Sequence, residues 1–134
     1  MARQCVGSGS PWEAAVGYSR AVRVNQQVYV AGTTASDASG RVIGPEDPYA
    51  QTVFILRKIE AALKEAGAGL QDVVRTRMYV TRIEDWTLIA RAHREFFHDV
   101  LPAATMVEVT RLIDPAMRIE IEVDAVIPES GDSP

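Results

Sequence analysis

The stretch Ile119-Glu120-Ile121-Glu122-Val123-Asp124-Ala125 decides the fold. Its four apolar side chains alternate without a break with three acidic ones, the period-two pattern of a strand with one buried and one polar face. An apolar row of that length has to be covered, and the preceding chain supplies helices to do it. Asp47-Pro48 offers an N-cap followed by a residue whose missing N–H costs nothing at the first helical position. Val53, Leu56, Ile59 and Leu63 then recur at helical spacing, with Lys58, Glu60, Lys64 and Glu65 off that stripe, until Gly67 ends the helix. A second helix is expected from about Asp85 to His98, with Trp86 as a core anchor and Ile89, His93 and Phe96 or Phe97 on the same side.

Four more strands complete the pattern. Tyr18–Val24 and Val28–Thr33 flank a short hairpin turn at Asn25-Gln26-Gln27. Val73–Thr81 is expected to place Val74, Thr76, Met78 and Val80 on one face and Arg75, Arg77 and Tyr79 on the other. Ala104–Thr110 precedes the final strand, Arg118–Ile127. The order β-β-α-β-α-β-β predicts an α+β sandwich, one sheet with both helices on one face. Residues 1–11, with Gly7-Ser8-Gly9-Ser10-Pro11, read as a flexible lead-in, and 128–134 as a disordered tail, so 1–134 is expected to be a single domain.

Composition excludes several function classes. With 47% hydrophobic and 24% charged residues, the chain has an ordinary globular make-up, and no apolar run approaches the ~20 residues of a membrane span. The first residues carry no secretory apolar core, and the expected location is cytoplasmic. The single cysteine, Cys5, excludes an internal disulfide or a cysteine-cluster metal site, and His93 and His98 diverge on a helix rather than sharing an ion. A net charge of −4 is a poor match for a phosphate backbone. A small-molecule ligand is therefore expected, with no nucleic acid and no membrane as partner.

The acidic side of the last strand can be read as a solvated face. Yet Tyr79 accompanies the arginines of the middle strand, and a face that is half polar and half apolar suits a subunit interface containing a cleft.

Val16-Gly17-Tyr18, Val30-Ala31-Gly32-Thr33, Pro102-Ala103-Ala104-Thr105-Met106-Val107-Glu108-Val109 and Arg118-Ile119-Glu120-Ile121-Glu122 resemble the RidA (YjgF/YER057c/UK114) family, over about Tyr18 to Ile127. The resemblance implies a chorismate-mutase-like fold with one mixed sheet, and a homotrimer with three clefts between subunits. It also implies hydrolysis of reactive enamines and imines, such as 2-aminoacrylate, to ketoacids and ammonia, with no metal and no organic cofactor. Residue by residue, the family's tyrosine matches Tyr18, its cleft glycine Gly32, and the glutamate thought to handle the attacking water Glu120. Its substrate-gripping arginine falls on Ala104, its cysteine on Met106, its serine on Ala31 and its asparagine on Ala90, which implies a larger and oilier pocket.

The physical consequences are specific. A carboxylate that positions water and shuttles protons typically contributes about 10²–10⁴-fold, and Glu120 retains that capacity. An arginine holds a carboxylate through two charge-assisted bonds, each worth about 1.5–3 kcal/mol. Alanine at 104 supplies neither, so 2-aminoacrylate is an expected poor substrate unless another cation substitutes. Arg20, two residues beyond Tyr18, and Arg77, beside Tyr79, are the candidates, each with a cross-strand ion pair as its plainer reading. Trp12 is a candidate cleft-lining residue. A non-catalytic small-molecule binder of the same trimeric fold is the alternative function, and an endoribonuclease a weaker one.

Overall fold

The apolar row of the last strand is completely covered: Ile119, Ile121 and Val123 are 0% exposed, and the acidic residues between them are half-buried. In the computed structural model, which describes residues 3–129, the elements are β1 (Arg3–Val6), α1 (Pro11–Val16), β2 (Ala21–Val24), β3 (Gln27–Thr34), α2 (Pro48–Glu65), β4 (Val73–Val80), α3 (Trp86–Phe97), β5 (Ala103–Glu108) and β6 (Ile119–Val126). One six-stranded sheet has the order β1-β2-β3-β6-β4-β5. It is mixed: β4 and β5 run parallel, and the other neighbours antiparallel. The helices α2 and α3 bury Ile55, Leu56, Ile59, Leu63, Ile89 and Phe97 against the apolar side of the sheet. Each such side chain contributes about 1.5–3 kcal/mol on leaving water. The α+β class with one mixed sheet is thus the observed architecture. No helix among the described residues is long and apolar enough to cross a membrane.

Helix α2 starts as its sequence dictates. Asp47 accepts the Ala50 N–H at 2.9 Å, and Pro48 occupies the first turn. Its register is pinned by a polar residue, Gln51, which is 0% exposed. The Gln51 Nε2 donates to the carbonyls of Gly44 (3.0 Å) and Ala116 (2.9 Å), and its Oε1 accepts from the Arg118 N–H at 2.8 Å. One side chain thereby ties the helix start, the loop before it and the entry to β6. On α3, His93 Nε2 lies 2.9 Å from Thr76 Oγ1, and burial pushes the imidazole below its ordinary range.

Four expectations need correction. The lead-in read over 1–11 contains β1, paired with β2 from Arg3↔Val24 to Val6↔Ala21, and the start of α1, where the Ser10 side chain accepts the Trp12 N–H. An edge strand needs only backbone partners on one side, so its mostly exposed side chains carry no periodic signal. The strand expected from Tyr18 starts at Ala21. Val74, expected on the covered face of β4, is 47% exposed, because the pairing with β6 shifts between Val73 and Arg75 and the bulge turns it outward. Trp86, expected in the core, is 54% exposed. Asp85 takes the inward position to meet Arg118, and the next residue along a helix points about 100° away. Residues 130–134 of the expected tail lie outside the described residues.

Candidate functional site

A second bulge builds the site. Pairing between β3 and β6 shifts between Val30↔Val123 and Thr33↔Ile121, so Ala31 and Gly32 together face one residue of β6, Glu122. Bulges of this kind bend a strand and re-aim its neighbours. Here the distortion lets the Glu120 side chain fold against residue 32. A Cβ built at Gly32 would touch the Glu120 carboxylate oxygen and stand 3.0 Å from its Cδ. Glycine is required at 32 for this close approach.

Above that contact opens a cavity of about 630 Å³. Of the residues singled out in the sequence, Trp12, Tyr18, Arg20, Ala31, Gly32 and Glu120 line it. Phe54 and Lys58 of α2 add to its wall, and Val16 and Ile113 line it while staying 72% exposed. The cavity therefore joins an apolar wall to a charged floor.

The charges are unusually placed. Burial pushes the Glu120 carboxyl above the ordinary carboxylate range; Arg20 pulls it back down, and Glu122 adds to the rise. Arg20 is 7% exposed, donates from Nη2 to the Gly32 carbonyl at 2.6 Å, and stands 5.8 Å from the centroid of the Tyr18 ring. Lys58 donates to the carbonyls of Thr34 (3.0 Å) and Ser36 (2.8 Å), and burial followed by the Arg20 charge lowers its ammonium's affinity for its proton. Lys58 escaped the sequence reading. It sits off the apolar stripe of α2, where a lysine ordinarily meets solvent, and only the chain crossing at the end of β3 brings it to the cavity.

The remaining candidates lie elsewhere. Arg77 is on the open face of the sheet, 3.2 Å from Asp124 Oδ2 and 3.8 Å from Glu122 Oε1. Beside it the Tyr79 hydroxyl donates to Glu122 at 2.6 Å, a bond that raises the phenol above its ordinary range. Ala104 and Met106 lie on β5, opposite Thr76 and Met78 of β4. Three strand spacings, roughly 14 Å, separate β5 from β3. Ala90 is half-buried on α3. Within one chain, none of these four lines the cavity.

Gly32→Ala tests the geometry directly. The added methyl meets the end of a flexible side chain, so stability is expected to change by no more than about 1 kcal/mol. The Glu120 carboxyl has to leave its half-buried place, and its titration, followed by the carboxyl ¹³C shift, is expected to move down toward the ordinary carboxylate range.

Comparison with known proteins follows the same outline. The family described as Endoribonuclease L-PSP matches residues 9–127. The crystal structure of Rv2704 from Mycobacterium tuberculosis, a member of the YjgF/YER057c/UK114 family, superposes with a TM-score of 0.86 at 50% sequence identity, covering 94% of this chain and 100% of that one. The Streptomyces coelicolor protein SCO2049 is 39% identical over 120 residues, 90% of this chain and 89% of its own. The 2-iminobutanoate/2-iminopropanoate deaminase of Rattus norvegicus is 32% identical over 120 residues, 89% of this chain and 87% of its own.

Proposed function

The chain belongs to the YjgF/YER057c/UK114 (RidA) family, and from that premise we propose that it hydrolyses a reactive enamine or imine and releases ammonia. The observation that carries this reading is the half-buried Glu120 carboxyl, held against a glycine at the floor of a cavity it shares with Tyr18. Water attacks the carbon of the protonated C=N group while the Glu120 carboxylate accepts a proton from it, giving a neutral carbinolamine. The same carboxyl then returns that proton to nitrogen, the C–N bond breaks as the hydroxyl gives its proton back to the Glu120 carboxylate, and a ketoacid and ammonia leave, the ammonia carrying off the proton the iminium brought. A carboxyl raised above its ordinary range accepts and returns protons closer to neutral pH, which favours both steps. Tyr18, lining the same cavity, orients the substrate.

The apolar residues at 31, 90, 104 and 106 favour a substrate other than 2-aminoacrylate. We assign a homotrimer as the working form. β5 is an edge strand whose residues are mostly exposed, and Ala104 and Met106 can reach a cavity of this kind only from another copy. Sedimentation equilibrium is expected to return three times the chain mass. A single-copy mass removes the shared cleft.

Ammonia release is the direct test. Imines generated in situ by an amino-acid oxidase acting on alanine, leucine and phenylalanine are expected to disappear faster with the protein present than in buffer. No acceleration across the three, with saturable binding of the ketoacids, transfers the reading to a non-catalytic binder. RNA cleavage finds less support: the net charge is −4, His93 of α3 is bonded to Thr76 of β4, and neither histidine lines the cavity.

A further inference from the structure

Two cations line the cavity with no carboxylate paired to them. Among the described residues, no acidic oxygen lies within 4.0 Å of Arg20 or Lys58. The neighbouring acids are otherwise occupied. Glu13 is bonded to the backbone and side chain of Ser8, and Asp37 to Ser39 and the Arg41 N–H. Glu120 stands beyond ion-pairing distance of both cations. The Arg20 side chain makes one bond, from Nη2 to the Gly32 carbonyl, which leaves its Nη1 group without a protein partner among the described residues. Lys58 makes two bonds, both to carbonyls, of the three its ammonium can donate.

A guanidinium taken out of water with no carboxylate in hydrogen-bond contact is costly, and a bound anion offsets that cost. A carboxylate is the anion whose two oxygens match a guanidinium fork. We propose that Arg20 and Lys58 anchor the carboxylate of the ligand, and that Trp12 and Phe54 receive a bulky apolar group on the same molecule. This rests on the cavity being the substrate site of the imine hydrolase. It makes the substrate class a 2-imino acid with an aromatic or branched side chain. It also places the anion clamp on the chain's own α2 and the approach to β2, so that alanine at 104 does not leave the acid without a partner.

Isothermal titration calorimetry with phenylpyruvate, a ketoacid that cannot be deaminated, is the probe. Pyruvate lacks the aromatic group, and phenylpyruvamide lacks the charge. Phenylpyruvate is expected to bind at least about 10-fold more tightly than either. Lys58→Met is expected to weaken it by about 10-fold, and Arg20→Gln by about 10²-fold, with pyruvate affected and the amide barely so. Equal affinity of the acid and the amide for the unaltered protein overturns the proposal. So does unchanged phenylpyruvate binding in a folded Lys58→Met protein. Arg20 is buried, and if its substitution prevents folding, the acid–amide comparison decides alone. The two readings fail separately. Acid-selective binding without ammonia release leaves the anchor standing and removes the hydrolase. Glu120-dependent ammonia release with equal binding of acid and amide does the reverse.

Discussion

Glu120→Gln is expected to lower the proposed imine hydrolysis by about 10²–10⁴-fold and, at neutral pH, to raise the melting temperature. Both effects come from one cause. Burial holds the proton on Glu120 more tightly in the folded chain than in the unfolded one, with Glu122 adding to this and Arg20 partly offsetting it. A carboxyl raised in the fold stabilises the folded state least when charged. Toward pH 4, at the lower edge of the ordinary glutamate range, the side chain is mostly neutral in both states and costs little. As pH rises through the ordinary range and on through the raised folded value, the native state progressively loses stability. Glutamine has no such charge, so the gain in melting temperature is full above the raised value and disappears toward pH 4. Ammonia release and thermal melts at pH 4, 6 and 8 check it. An unchanged rate in a folded Glu120→Gln protein removes Glu120 from the chemistry, and an acid-side rather than neutral-side gain in stability contradicts its burial.

The largest loss of stability is expected at the entry to the same strand. Arg118, immediately before β6, donates from Nε and Nη2 to the two oxygens of Asp85 at 3.1 and 2.9 Å. Their side chains are 13% and 11% exposed. Asp85→Ala leaves a nearly buried guanidinium without its counter-charge and is expected to cost about 3–5 kcal/mol. For a domain of this size that is a fall in melting temperature on the order of 10 °C. Asp85→Ala with Arg118→Met is expected to recover much of the loss, since no lone buried charge remains. Urea unfolding of the two single variants and the double variant measures the coupling. A single variant within about 1 kcal/mol of the parent shows the pair to be solvated. Arg118 is two residues from Glu120, so the pair also sets where the strand that carries the carboxyl begins.

Much of this arrangement was legible locally. The alternation over residues 119–125 stands in the structure as written, because a strand's two faces are separated by the backbone itself. The start of α2 followed from Asp47-Pro48, whose cap and ring act on their own neighbours. Tyr18, Gly32 and Glu120 were marked by resemblance, and the cavity brings them together. Trp86 was misread because an amphipathic stripe does not reveal which residue of the first turn faces in when a distant arginine claims the one before it. Val74 was misread because a single extra residue in a bulge reverses the sides of a strand, and nothing local announces it.

By itself, then, the order of residues determined the elements, their apolar faces and the class of fold, since those depend on contacts within a few positions of each residue. Only the folded chain decided which charges meet. The contact of Glu120 with Gly32, the choice of Arg20 over Arg77 for the cavity, and the arrival of Lys58 beside it depend on strand order and on the bulge between β3 and β6. Those are settled by the packing of distant segments, and burial there, rather than residue type, sets how tightly the carboxyl holds its proton.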